Sequence, residues 1–215
     1  MTPLPGDHIV DPFAPSDGPI LIQSARESIT KFLESHKIVI PNRMSIDPRF
    51  ERKLGCFVTL KRDDKERSLR GCIGFPEPFY KLLEALPEAA VCAATEDPRF
   101  PSVVLSEMNS LLVEVSILTE PVRINVENPK DIPKKIHVGV DGLILKWSFG
   151  SGLLLPQVAL EFNWDAREFL ENLSVKAGAP PNQWSTAGAN IYKFQAQVFQ
   201  ETSPNGYVIL SNHQR

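Results

Sequence analysis

Cysteine is scarce in this chain: 215 residues hold three, Cys56, Cys72 and Cys92. An odd number with no close spacing excludes a disulfide framework and a zinc-finger pattern. It fits a reducing, cytoplasmic location. Long apolar runs are lacking too. The first residues, MTPLPGDHIVDPF, have neither the basic start nor the apolar centre of a secretory signal. No stretch reaches the ~20 apolar residues that a membrane span needs. Nor is there a charge excess. The formal net charge is −3, which disfavours a nucleic-acid partner held by counterion release. A phosphate-cradling glycine loop, an HExxH pair and an iron–sulfur cysteine spacing are all missing. The sequence therefore predicts no metal and no cofactor.

What is present is an ordinary globular composition, 42% hydrophobic and 23% charged. The length suffices for a sizeable core, as one domain or two intimate lobes. Pro3, Pro5, Pro12 and Pro15 predict an extended arm over residues 1–18. A helix should run from Pro19 to about His36, because Leu21, Ile22, Ala25, Ile29, Phe32 and Leu33 recur at helical spacing. Residues 41–50 read as a loop. A second helical pattern starts at Phe79 and ends in alanines, with Pro87 expected to kink or split it. Small alanines there predict close packing on a sheet. Leu111 to Leu118 is a strong strand. Asp141-Gly142 carries the signal of a two-residue hairpin turn between strands 136–140 and 143–147. Asp165 with Glu168 makes a capping box for a helix ending near Gly178. The final strand should run from Ile191 to Glu201, followed by a tail over 206–215. Four helical segments and about seven strands make this an α+β protein with a largely antiparallel β-sheet flanked by helices.

The most informative stretch is Leu54 to Phe75, LGCFVTLKRDDKERSLRGCIGF. It reads as a strand, a charged turn and a returning strand. Alternation sets Arg70 and Cys72 on one face of the second strand and Leu69, Gly71 and Ile73 on the other. Glycines on both sides of Cys72 signal a bulge, or the close approach of another backbone or a ligand.

Leu69-Arg70-Gly71-Cys72-Ile73-Gly74 is also similar to the six-residue signature of the AMMECR family. Further matches follow in order. They include Asp97-Pro98-Arg99-Phe100-Pro101, Asp141-Gly142-Leu143, Gly152 to Val158, Trp164-Asp165, Lys176-Ala177-Gly178, Trp184 and Phe194 to Phe199. Together they span roughly residues 20 to 205, so the chain resembles the family over a single domain, residues 19–205. The resemblance implies a mixed α/β protein of two unequal lobes with a cleft between them. It also implies partners, since relatives are associated with Memo-type dioxygenase-like proteins and radical-SAM proteins. One departure stands out. Family members often carry a cysteine where this chain has Ser174, which counts against a two-cysteine redox or metal mechanism.

Cys72 is the first chemical candidate. A nucleophilic thiol needs some exposure and a nearby cation; Arg70 on the same face would supply one. The competing reading makes Cys72 a small core residue whose glycines, Gly71 and Gly74, allow tight packing. Asp97 and Arg99 either grip a carboxylate or phosphate or form an internal turn with its own ion pair. The same four letters occur at Asp47-Pro48-Arg49-Phe50, which suggests a short internal duplication. Gln157 is polar inside an apolar run, and Glu161 shares its face if the segment is helical. His36 and His137 fit ordinary surface or core roles.

Two functions follow from these residues. One is an enzyme whose cleft uses Cys72, with Arg70, on a small anionic or modified substrate. The other is a non-catalytic adaptor in basic machinery such as transcription or translation, with the signature as its recognition surface.

Overall fold

The structure, a computed structural model, describes residues 12–211. Residues 1–11 of the expected arm and 212–215 of the expected tail lie outside them. In chain order the elements are α1 (Gly18–Ser35), α2 (Asn42–Ser45), β1 (Cys56–Arg62), β2 (Leu69–Phe75), α3 (Leu82–Thr95), β3 (Leu111–Leu118), β4 (Val122–Arg123), β5 (Gly142–Trp147), β6 (Gly150–Leu154), α4 (Pro156–Glu161), α5 (Ala166–Lys176), β7 (Asn190–Phe194), β8 (Ala196–Glu201) and β9 (Val208–Ser211). Short 3-10 turns join several of them. The α+β class with antiparallel strand pairs is as the sequence predicts.

The chain divides into two units, residues 12–118 with 197–211, and residues 119–196. The first holds a five-stranded sheet in the order β2-β1-β3-β8-β9. The second unit is an insertion in the chain between β3 and β8, which are neighbours in that sheet. Leu21, Ile22, Ala25 and Ile29 of α1 are buried, one turn apart as their spacing requires. They share a core with Val58, Leu60, Val113, Val115 and Phe199. Each of these side chains larger than alanine contributes roughly 1.5–3 kcal/mol by leaving water.

The alanines of α3 do what their size predicts. Ala89, Ala90, Ala93 and Ala94 are buried, and the helix backbone lies directly on β2. A Cβ on Gly71 would stand 2.0 Å from the Ala93 carbonyl oxygen. This close approach is the reason for a glycine at that place. The helix runs through Pro87 without splitting. Proline removes one backbone donor, and the apolar face on either side of it stays packed. Phe79 and Tyr80 precede the helix rather than belong to it, and both are exposed. Part of the expected 41–50 loop is α2 and a 3-10 turn at Pro48–Glu51.

The second unit is built on a four-stranded sheet, β4-β7-β5-β6, covered by α5. Phe169, Leu170 and Leu173 fill its core with Leu143, Leu145 and Ile191. The capping box forms as expected: Asp165 Oδ1 accepts the Arg167 and Glu168 amides, and Glu168 accepts the Asp165 amide. The Asp141-Gly142 hairpin does not form. Residues 136–140 are irregular, and the hairpin turn falls at Ser148-Phe149, between the paired Trp147 and Gly150. Asp141 instead accepts the His137 amide and the Gln195 side chain. Gly142 is small because a Cβ there would meet the Phe194 ring at 2.4 Å. The expected strand 191–201 is two strands in two sheets. They part at Gln195, whose amide bonds the Thr119 hydroxyl.

Candidate functional site

The site is built on β2, an edge strand whose outer backbone groups need partners that no strand supplies. The segment after α3 supplies one for the Cys72 amide. Asp97 is buried, and its Oδ2 accepts the Cys72 amide at 2.8 Å. Since that amide is used at the edge, Cys72 faces Thr59 of β1 as a non-hydrogen-bonded pair, the kind that brings side chains closest. The Thr59 hydroxyl donates to the Cys72 sulfur at 3.2 Å. Cys72 is half-buried, so its thiol is neither core nor freely exposed.

Asp97 also orders Arg99. The guanidinium lies along the carboxylate, Nε to Oδ1 at 2.9 Å and Nη2 to Oδ2 at 2.6 Å. This partner holds the Asp97 carboxyl far below the usual carboxylate range, and the Cys72 amide adds to the effect against the cost of burial. Arg99 is raised in turn, chiefly by its hydrogen bonds to Asp97. Its side chain is 55% exposed, while that of Asp97 is 3% exposed. A buried anion therefore holds an accessible cation and the Cys72 backbone amide on one carboxylate.

Arg70 stands differently from the sequence expectation. The β1–β2 register shifts between Leu60 and Lys61, and Arg70 is the residue left without a partner across the strands. The bulge frees it from simple alternation. Its guanidinium meets Glu107 at 3.1 and 3.0 Å and the Pro101 carbonyl at 2.7 Å. Only 4% of its side chain is exposed. Arg70 thus ties the segment between α3 and β3 to the edge strand, and its charge is already matched. Glu107 is lowered mainly by Arg70. Gly71 seats α3, as described, and Gly74 lies opposite Phe57 in β1.

Gln157 and Glu161 belong to the other unit. Both are exposed and one turn apart on α4. Gln157 is not buried because the apolar run bends into a helix at Pro156. Ser174 is fully buried, donating to the Leu170 carbonyl and accepting the Trp184 amide, so its position serves packing. Cys56 and Cys92 are buried; burial pushes their thiols up to about 12 and about 11, with Glu96 and Glu88 adding to the second.

Two participants escaped the sequence reading. Thr59 was missed because folding the hairpin about the middle of its charged turn sets Phe57 opposite Cys72, whereas the observed register pairs Thr59 with it. Glu107 had no local signal. Among the described residues, no three His, Cys, Asp or Glu side chains gather to hold a metal ion. A cavity of about 260 Å³ lies on the same sheet, lined by Lys61, Glu114, Gln200 and Ile209 among others, and does not include Cys72.

A profile of the AMMECR1 family matches residues 22–199. The chain belongs to the AMMECR1 family. Its curated relatives include a protein of Methanocaldococcus jannaschii, 51% identical over 90% of this chain and 94% of its own. Another is a protein of Thermofilum pendens, 42% identical over 90% of this chain and 93% of its own. The crystal structure of protein PH0010 from Pyrococcus horikoshii superposes with a TM-score of 0.77 at 43% identity, covering 94% of this chain and 99% of that one. The AMMECR1 match spans both units, and the signature, Asp97 and Arg99 all fall within it. Among the described residues no helix is long and apolar enough to cross a membrane.

Proposed function

We propose that this AMMECR1 protein is an enzyme whose working group is the Cys72 thiol, acting on a small anionic or modified substrate. One observation carries the reading: a half-buried sulfur accepts a hydroxyl hydrogen bond from Thr59, while buried Asp97 joins the backbone amide of the same cysteine to the Arg99 guanidinium. Those are the surroundings that activate a thiol nucleophile or a thiol ligand. In this reading Arg99 orients the anion, and Arg70 is a positioning residue that fixes the segment carrying Asp97 and Arg99. Three unpaired cysteines support a reducing, cytoplasmic setting.

The test is alkylation of the native protein with iodoacetamide at pH 8, read by mass spectrometry. Cys72 should label at least about tenfold faster than Cys56 and Cys92, whose raised thiols are almost wholly protonated at that pH. Equal labelling of all three only after unfolding would overturn the reading. A substrate screen on the labelled and unlabelled protein then follows.

A second reading rests on Phe79 and Tyr80, which are exposed just after β2; Tyr80 meets Phe75 edge-on at 5.9 Å. An adaptor in transcription or translation would use such aromatic side chains as anchors. Memo-type or radical-SAM proteins are the partners family context offers, under either reading. Loss of partner binding in Phe79→Ser and Tyr80→Ser, with Cys72→Ser silent, would favour the adaptor.

A further inference from the structure

The tetrapeptide Asp-Pro-Arg-Phe occurs twice, and the two copies share one geometry. In each, the aspartate Oδ1 accepts the arginine amide, at 3.0 Å for Asp47 and 3.1 Å for Asp97. In each, the aspartate carbonyl accepts the phenylalanine amide at 3.1 Å. The guanidinium then folds back on its own aspartate through Nε and Nη2. It also rests on an aromatic ring: Arg49 lies 5.4 Å from the Phe13 centroid and Arg99 lies 5.6 Å from that of Phe100.

They differ in the ring used, Phe13 outside the motif against the motif's own Phe100, in the Cys72 amide that Asp97 alone accepts, and at the outer edge of the guanidinium. Arg49 spends its outer edge on a second carboxylate, Nη1 to Asp17 Oδ2 at 2.6 Å and Nη2 to Asp17 Oδ1 at 3.0 Å. Among the described residues no carboxylate meets the corresponding edge of Arg99. The Arg99 side chain is more than half exposed, and its Nη2 shares Asp97 Oδ2 with the Cys72 amide.

We infer that the outer edge of Arg99 is a binding site for the carboxylate of a small ligand, in the place that Asp17 takes on Arg49. The Arg49 copy demonstrates that this local fold accepts two carboxylates on one guanidinium. Fork-to-fork geometry favours a planar, bidentate anion. Asp97 already fixes the arginine, so little side-chain freedom is lost on binding. The inference deepens the reading of the same site by naming its substrate class, yet its geometry does not depend on a reactive thiol.

The experiment is a titration of the full chain with sodium acetate, followed by NMR at the arginine Nε–Hε signals, with sodium chloride at equal ionic strength as the control. The Arg99 signal should shift to saturation with acetate and not with chloride, while Arg49 stays still. In D17N the Arg49 signal should begin to respond as well. R99K, which keeps the charge and loses the fork, should weaken the acetate midpoint by roughly tenfold when it is followed at the Cys72 backbone amide in both proteins, as the loss of one charge-assisted hydrogen bond would. An Arg99 signal that fails to saturate, or that moves equally with chloride, overturns the inference, as does Arg49 responding equally in the unsubstituted protein. The titration is equally valid in C72S. Failure of Cys72 to label therefore sinks the thiol reading alone, and failure of the titration sinks the carboxylate site alone.

Discussion

Arg26 of α1 and Glu201 of β8 form a buried two-pronged ion pair, Nε to Oε1 and Nη2 to Oε2 both at 2.6 Å. They stand 175 residues apart in the chain. The pair is also tied to backbone: Arg26 donates to the Met108 and Leu111 carbonyls, and Glu201 accepts the Val113 amide at 2.8 Å. A buried charge that loses its partner is costly, about 3–5 kcal/mol, whereas removing both charges is far milder. E201M should therefore lower the unfolding free energy by about that amount. Adding R26M should recover part of the loss. Denaturant titration of the two singles and the double checks this, and equal additive losses would refute it.

Gly71 bears the weight of α3 on β2. In Gly71→Ala the new methyl would press on the Ala93 backbone, which cannot swing aside as a flexible side chain would. Overpacking of this kind costs about 1–3 kcal/mol. For a chain of this length that lowers the melting temperature by roughly 2–4 °C per kcal/mol. Calorimetry would measure it. An unchanged melting point would show that α3 lifts off the strand freely.

Arg70 and Glu107 predict a local effect. Arg70→Met leaves Glu107 without its cation and the Pro101 carbonyl without its donor. Hydrogen bonds to charged groups contribute about 1.5–3 kcal/mol each. Amide exchange should quicken over residues 97–107, and the Cys72 amide, bonded to Asp97, should quicken with it. Mass-spectrometric exchange on peptides resolves this. Slower or unchanged exchange there would show that Arg70 does not fasten the segment.

Asp97 predicts an acid limit. Its folded carboxyl titrates far below the ordinary value of about 3.9, chiefly because of Arg99. The unfolded chain therefore takes up the proton first as pH falls. The stability this group contributes is complete above about pH 4 and is lost progressively below it, as pH approaches the folded value. Asp17, Asp47 and Glu107 are lowered in the same sense by their arginines. D97N should be less stable at neutral pH and should show a shallower loss of stability below pH 4. Denaturation midpoints from pH 6 to 2 check the slope. A parallel pair of curves would refute the assignment.

The β1–β2 hairpin was legible because alternation and a charged turn agree there. So were α1 and α5, whose spacing and caps are local. The role of Arg70 was not, because a bulge breaks the alternation that placed it on the Cys72 face. Asp141-Gly142 misled for a related reason: a dipeptide suited to a turn was chosen for contacts with His137, Gln195 and Phe194, the last two far along the chain. The Asp97–Arg99 pair could be read from its repeat at Asp47–Arg49, but its neighbour Cys72 could not, since only the edge-strand amide joins them.

The insertion of residues 119–196 between β3 and β8 sets an order of events during synthesis. The first unit cannot complete its sheet until β8 has left the ribosome, so α1, β1, β2 and β3 wait without Phe199 and Glu201. During that wait Arg26 has no counter-charge. Residues 119–196 hold a core of their own, and closing them into a folded body first shortens the loop that must be shut to bring β8 beside β3. The unit encoded in the middle of the chain is thus the one able to mature early, and the unit that carries Cys72 matures last.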